Sequence, residues 1–354
     1  MALVFREKIT THESIYLSDV RERTLTVEYV LPSAGTNLET GILFLIPAYG
    51  GNLASSVYRK MRMQFPDKYN LIVIQCDFFG IGHMQGMNEK LEEFLEIGKK
   101  TDTPNKIKIQ TEETFLDCND MGIMQAADIL RAGLYVIHKL SARGVKMNFG
   151  KIITYGSSHG SYLGYVVNRL CPGFIKLVID NSAYLLPNYI WEDRPLYYQL
   201  PTRLQEKYEL SKLRAEINYL INRQREDFLP NSFYDLYSLY EGFENDCMIL
   251  SFHGTNDAMV SITEKRRLIE GIKNASLIEI SKEDVDGTYF KSSEHGLGVD
   301  LLNLYEAVED LSQNAFIYSD SLEISETIVL EKEGHCLYLN YGELKPHITW
   351  IKPD

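Results

Sequence analysis

From residue 24 onward the chain alternates short apolar runs with longer stretches whose apolar residues recur every three or four positions. Strand and helix signals in strict alternation need crossover connections, so the pattern predicts an α/β protein with a mostly parallel central sheet flanked by helices. About eight strands are expected. Leu25 to Leu31 reads as an edge strand and Ile42 to Ile46 as the next. Leu71 to Gln75 and Ile152 to Tyr155 read as central strands, because runs of Leu, Ile and Val without polar alternation fit burial on both faces. Phe174 to Ile179, Met248 to Phe252 and Ser276 to Ile280 continue the series. Between them, Ile123, Ala126, Ala127, Leu130, Leu134 and Ile137 share one face of a helix expected over Asp120 to Leu140.

All 354 residues are expected in a single domain, since α/β cores routinely exceed about 250 residues. The stretch 183–245, rich in Tyr, Arg, Glu and Leu, breaks the rhythm and is expected as a helical lid over the carboxyl edge of the sheet. Residues 320–354 are expected to form a terminal hairpin, Glu323 to Leu330 with His335 to Asn340, and a polar tail.

The partner class is narrowed by charge. Forty-nine acidic against 36 basic residues give a net charge of -13, which argues against nucleic acid or an anionic membrane as the partner. The pairs around Lys99 and Lys106 are short and interrupted, as in a solvated loop. Arg6, Glu7 and Lys8 stand where a signal peptide would be apolar, so a cytoplasmic location is expected. Five widely spaced cysteines read as free thiols, and no Cys/His spacing fits a metal. No cofactor is expected, and the oligomeric state is open.

The chemistry concentrates in Ile152-Ile153-Thr154-Tyr155-Gly156-Ser157-Ser158-His159-Gly160, where a buried strand runs into G-x-S-x-G and then a helical stretch. A serine in so tight a turn needs glycine two positions before and two after, so that neighbouring backbones approach without a Cβ clash. Only Ser158 has both, which selects it over Ser157 as nucleophile. A serine hydroxyl needs a base in hydrogen-bond reach and an acid that orients the base. The segment Met248 to Val260 is a strand followed by H-G-x-x-D-x-x-V, placing Asp257 just past a carboxyl end, though an ordinary turn residue would look the same. His295, in Ser292 to Gly298 after the next strand, is the candidate base. His335 and His347 lie in the terminal segment, and His253 precedes the acid. The oxyanion needs N–H donors, for which His159 and the loop Pro47 to Asn52, with Tyr49 and Gly50, are the candidates. Asp77 to His83 is read as a wall-shaping turn.

Taken together, these motifs resemble the α/β-hydrolase superfamily over nearly the whole chain. Tyr49-Gly50-Gly51 and Gly156 to Tyr162 look like loops of prolyl-oligopeptidase-type enzymes, although Ser161 stands at the second glycine of their Gly-Gly-Tyr. Asn119 to Ala126 together with Tyr155 to Gly160 is more similar to a bacterial α/β-hydrolase family labelled only as a domain of unknown function, 2920. Members of that family often lie near genes for flagellin glycosylation, so the resemblance implies an acyl group on a sugar as substrate. The expected activity is ester hydrolysis through an acyl-enzyme on Ser158, with an O-acetyl or other acyl group on a carbohydrate or glycoconjugate as the substrate. Acyl transfer, peptidase action and a non-catalytic scaffold remain open. Tyr184, Tyr189 and Trp191, with Tyr197 and Tyr198, are candidates to stack on a sugar ring or simply to pack the lid.

Overall fold

A computed structural model describes residues 2–16, 23–81, 106–112, 120, 122–186, 196–199, 214–220, 229–312, 316–342 and 347–353. In chain order the strands are β1 Leu3–Thr11, β2 Arg23–Leu31, β3 Gly41–Ile46, β4 Leu71–Cys76 and β5 Lys106–Glu112. Then come β6 Ile152–Ser157, β7 Leu177–Asn181, β8 Leu196–Gln199 and β9 Arg214–Leu220. The series ends with β10 Met248–Gly254, β11 Ala275–Ile280, β12 Thr327–Lys332, β13 His335–Asn340 and β14 His347–Ile351. The helices are α1 Ser56–Tyr69, α2 Ile123–Ser141, α3 His159–Leu170, α4 Leu236–Tyr240, α5 Ile262–Glu270 and α6 Leu301–Ser312.

Eight strands form the main sheet in the order β1-β2-β4-β3-β6-β7-β10-β11. β2 runs antiparallel to both β1 and β4, and every pairing from β4 to β11 is parallel. Every residue of β3 and β4 is buried, as strands covered on both faces require. Their side chains divide by parity. Ile42, Phe44 and Ile46 pack with α2 and α3 on one face, and Leu43 and Leu45 pack with α1 and α6 on the other. Close packing of α2 on β3 depends on Gly133, where a Cβ would lie 2.2 Å from the Phe44 ring.

Three expectations change. β1, on the sheet edge, is absent from the sequence reading because Arg6, Glu7 and Lys8 interrupt its apolar pattern. Over 183–245, where a helical lid is expected, the described residues contain strands β8 and β9, the 3-10 turn Asn231–Phe233 and the short α4. β9 pairs with both β5 and β8 in a separate three-stranded sheet. Its alternation of Ala215, Ile217 and Tyr219 with Glu216 and Asn218 is a period of two, and aromatic and β-branched residues favour strands. At the chain end, β14 adds a third strand to the β12–β13 hairpin where a polar tail is expected. Among the described residues, no helix is long and apolar enough to cross a membrane and no His, Cys, Asp and Glu cluster could hold a metal.

Candidate active site

The turn between β6 and α3 is fixed by sterics. Ser158 sits there with φ 54° and ψ -115°, a conformation that a non-glycine residue adopts only when its surroundings impose it. A Cβ on Gly156 would lie 2.3 Å from the Gly160 carbonyl carbon, and one on Gly160 would lie 2.1 Å from the Ile46 carbonyl oxygen. The two glycines therefore let α3 close down on β6 and on the end of β3. The Ser158 N–H donates to the Asn181 carbonyl at 2.8 Å, tying the turn to β7.

The Ser158 Oγ lies 2.8 Å from His295 Nε2, and His295 Nδ1 lies 2.8 Å from Asp257 Oδ2. Asp257 Oδ1 accepts from the N–H groups of Met259 at 2.8 Å and Val260 at 3.1 Å. Burial pushes the Asp257 carboxyl up, but the His295 bond and charge and these two amides outweigh it, so its pKa lies below the ordinary value. An ionised carboxylate at Oδ2 makes Nδ1 the protonated nitrogen of His295. Nε2 is then the acceptor for the serine proton.

The loop bearing His295 crosses the end of β10 at Gly254, where a Cβ would meet the Ser293 carbonyl oxygen at 2.2 Å. Side chains do the rest. Asn256 Nδ2 donates to Ser293 Oγ at 2.8 Å, the Gly296 N–H donates to Ser182 Oγ at 3.0 Å, and Asn181 Nδ2 donates to the Gly296 carbonyl at 3.4 Å.

On the other side of Ser158, His159 opens α3, whose first N–H groups have no acceptor within the helix. Its imidazole is wholly buried, and burial pushes its pKa down to about 3, so the ring is neutral. Nε2–H donates to Gln125 Oε1 at 2.7 Å, and Gln125 donates to the Phe79 carbonyl at 3.1 Å. The Tyr49 ring meets the His159 ring edge-on at 6.0 Å, so the loop after β3 borders this end of the helix. In that loop the Ala48 N–H donates to the Tyr58 hydroxyl at 3.0 Å and the Gly51 N–H to the Ala48 carbonyl at 2.8 Å.

The structure thus brings Ser158, His295 and Asp257 into one hydrogen-bonded chain, with Tyr49 and His159 beside it. Tyr184 joins them, its ring parallel to that of His295 at 5.7 Å and 16°. Tyr189 and Trp191 lie outside the described residues. His253 is buried against Asp257, 3.5 Å from Oδ2, and donates to the Val260 carbonyl at 2.9 Å. His335 stacks on Trp350 in the terminal sheet, and His347 belongs to β14. Sequence reading missed Asn181, Ser182 and Gly254, which hold the histidine loop; only the glycine beside His253 signalled a close approach.

A sheet in this strand order, with a strained serine after β6, a carboxylate after β10 and a histidine after β11, has the α/β-hydrolase fold. The chain belongs to the family described as protein of unknown function DUF2920, whose model matches residues 88–192 and 229–313, more than half of it. It superposes on the peroxisomal α/β-hydrolase Lpx1 of Saccharomyces cerevisiae with a TM-score of 0.50 and 11% identity, over 91% of this chain and 92% of that one. Est1E from Butyrivibrio proteoclasticus, solved with ferulic acid bound, is similar with a TM-score of 0.47 and 13% identity, over 82% of this chain and 95% of that one. The esterase domain of a Rhodothermus marinus protein is similar with a TM-score of 0.45 and 15% identity, over 88% of this chain and 98% of that one. No curated protein matches the chain.

Proposed function

We propose that this protein is a serine esterase with Ser158 as nucleophile, His295 as general base and then acid, and Asp257 as the carboxylate that orients the histidine. The observation that carries this reading is the unbroken hydrogen-bonded chain Ser158–His295–Asp257, both links 2.8 Å long. Ser158 Oγ attacks the ester carbonyl carbon while its proton passes to Nε2. The imidazolium, stabilised by Asp257, protonates the departing alcohol, and water then cleaves the acyl-enzyme by the same relay. The backbone N–H of His159 and one from Tyr49 or Gly50 hold the oxyanion, the amide of Ala48 being engaged by the Tyr58 hydroxyl on α1 and that of Gly51 by the Ala48 carbonyl. This chemistry calls for no cofactor. We take an O-acetyl or other acyl group on a carbohydrate or glycoconjugate as the substrate, on the sequence resemblance alone, and the cytoplasm as the location.

The test pairs a fluorophosphonate probe with hydrolysis of p-nitrophenyl acetate. Wild type is expected to label and turn over, and Ser158→Ala to lose labelling and about 10⁴-fold or more of the turnover. A folded wild type that does neither refutes the reading.

A further inference from the structure

The loop that carries Asp257 runs from β10 to α5, and two residues on one face of β10 hold what surrounds it. Ser251 and His253 stand two positions apart and so point the same way from the strand. Ser251 Oγ donates to Asp180 Oδ2 at 2.7 Å, and the Tyr165 hydroxyl donates to the same oxygen at 2.8 Å. Lys265 Nζ, from α5, lies 2.7 Å from that oxygen, both side chains wholly buried. The pair grips Ala183 beyond β7: Asp180 Oδ1 accepts from its N–H at 2.7 Å, and Lys265 Nζ donates to its carbonyl at 3.3 Å. These bonds fix α5, where the loop ends, against the ends of β7 and β10. His253 holds the loop itself. Its imidazole is wholly buried, with Nε2 2.9 Å from the Val260 carbonyl oxygen and 3.5 Å from Asp257 Oδ2. Both neighbours are acceptors, so Nε2 carries the proton. Nδ1 is buried without a hydrogen-bond partner among the described residues, so a second proton on the ring would find no acceptor. Burial and the Lys265 charge hold the imidazole below the ordinary histidine range, and it remains a neutral donor. The other charged groups around it are Asp180 of β7, Asp257 and, on the neighbouring strand β11, Glu279. An unanswered buried nitrogen opposes folding, so packing does not account for a histidine here, whereas its donor edge does.

We propose that His253 is a positioning residue that fixes the Asp257 carboxylate for His295, an inference that rests on the esterase reading. Val260 links them. Its carbonyl accepts from His253, and its N–H donates to Asp257 Oδ1 at 3.1 Å, beside that of Met259 at 2.8 Å. With Oδ1 turned to these amides, Oδ2 faces His295 Nδ1 at 2.8 Å, and the His253 N–H lies alongside the same oxygen. No bond forms or breaks at His253. When His295 takes the serine proton in acylation, or the water proton in deacylation, the imidazolium is stabilised by the carboxylate in this one orientation. Loss of the His253 donor frees the Val260 peptide and lets the carboxylate turn, which weakens the hold of His295 on a proton in both halves of the reaction.

His253→Leu removes the donor at nearly the same volume. With p-nitrophenyl acetate, kcat is expected to fall about tenfold with KM unchanged, because acylation and deacylation slow together. The acid limb of kcat/KM against pH should move to lower pH, since a carboxylate no longer held in place favours the imidazolium less. His253→Gln, whose amide nitrogen reaches towards the Val260 carbonyl, should recover most of kcat and return the limb towards its wild-type position. If circular dichroism finds the leucine variant unfolded, His253→Asn, whose amide ends near the place of Nδ1, is read in its stead. A kcat within about twofold of wild type, an unmoved acid limb, or a glutamine variant no better than the one lacking the donor overturns the assignment. Ser158→Ala in the same assay separates the two readings. Wild-type turnover no higher than in that variant sinks the esterase reading and this one with it. Turnover lost in Ser158→Ala but unaltered in His253→Leu sinks this one alone.

Discussion

The turn after β6 and the loop after β11 each bring one group to the same point, 2.8 Å apart, but they are held by different forces. The serine turn is shaped by exclusion, with Gly156 and Gly160 pressed against backbone that has nowhere to go. The histidine loop is shaped by attraction, through Asn256, Ser182 and Asn181, with Gly254 as its one steric contact. Steric constraints fail all at once, whereas a set of hydrogen bonds fails by degrees. Substitutions in the two regions should therefore differ in kind.

Gly160→Val should have the largest effect, because its Cβ would sit 2.1 Å from one carbonyl oxygen and 2.6 Å from the next. Urea unfolding should record a loss above about 3 kcal/mol or no folded protein at all. Near-native stability would break the comparison. Acid probes the same region through His159. Its imidazole is lowered by burial from 6.5 to about 3, so the unfolded chain takes up a proton that the folded one refuses. The contribution is whole above pH 6.5 and drains as pH falls towards 3, at up to about 1.4 kcal/mol per pH unit. Urea midpoints of His159→Gln between pH 7 and pH 4 should fall less steeply than those of wild type; parallel lines would mean that the ring is not held neutral.

On the histidine side, Gly254→Ala should push the Ser293 carbonyl aside and carry His295 off Ser158. Esterase turnover is expected to drop about 100-fold with a stability loss near 1 kcal/mol, a separation that Gly160→Val should not give. Equal damage to both quantities would erase the distinction. Asn256→Ala removes a single partly buried hydrogen bond to Ser293 and should cost about 1 kcal/mol or less, with turnover down a few-fold. A loss as large as that of Gly254→Ala would show that the loop hangs on this one bond.

These two modes of support also explain what could be read before the fold was known. Glycines at fixed offsets from Ser158 leave a local trace, and so does an aspartate placed just past the apolar run of β10. His295 could be proposed because it follows the last strand of the parallel sheet. Its anchors could not, since Asn181, Ser182 and Asn256 are ordinary loop residues until β7 and β10 lie side by side. Tyr184 appeared only as one aromatic among several, because its stacking depends on the path of the chain beyond Ala183. Asp180 and Lys265 gave no signal at all: one ends a buried strand, the other lies on a helix, and only the sheet order makes them neighbours. β9 was lost to a reading of helix for a different reason, its period of two being short and set in a Tyr- and Arg-rich context.

Neighbouring residues of α5 reach very different surroundings. Arg266 makes its ion pair with Glu279 where water and counterions have access, whereas Lys265 and Asp180 are sealed from both. Mobile ions screen the first and scarcely touch the second. The hold of this pair on the Ala183 N–H and carbonyl, and with it the placing of the Tyr184 ring against His295, should persist from dilute buffer to strong brine. The ionic strength of the surroundings can loosen the outer face of this helix while leaving the distances at the serine as they are.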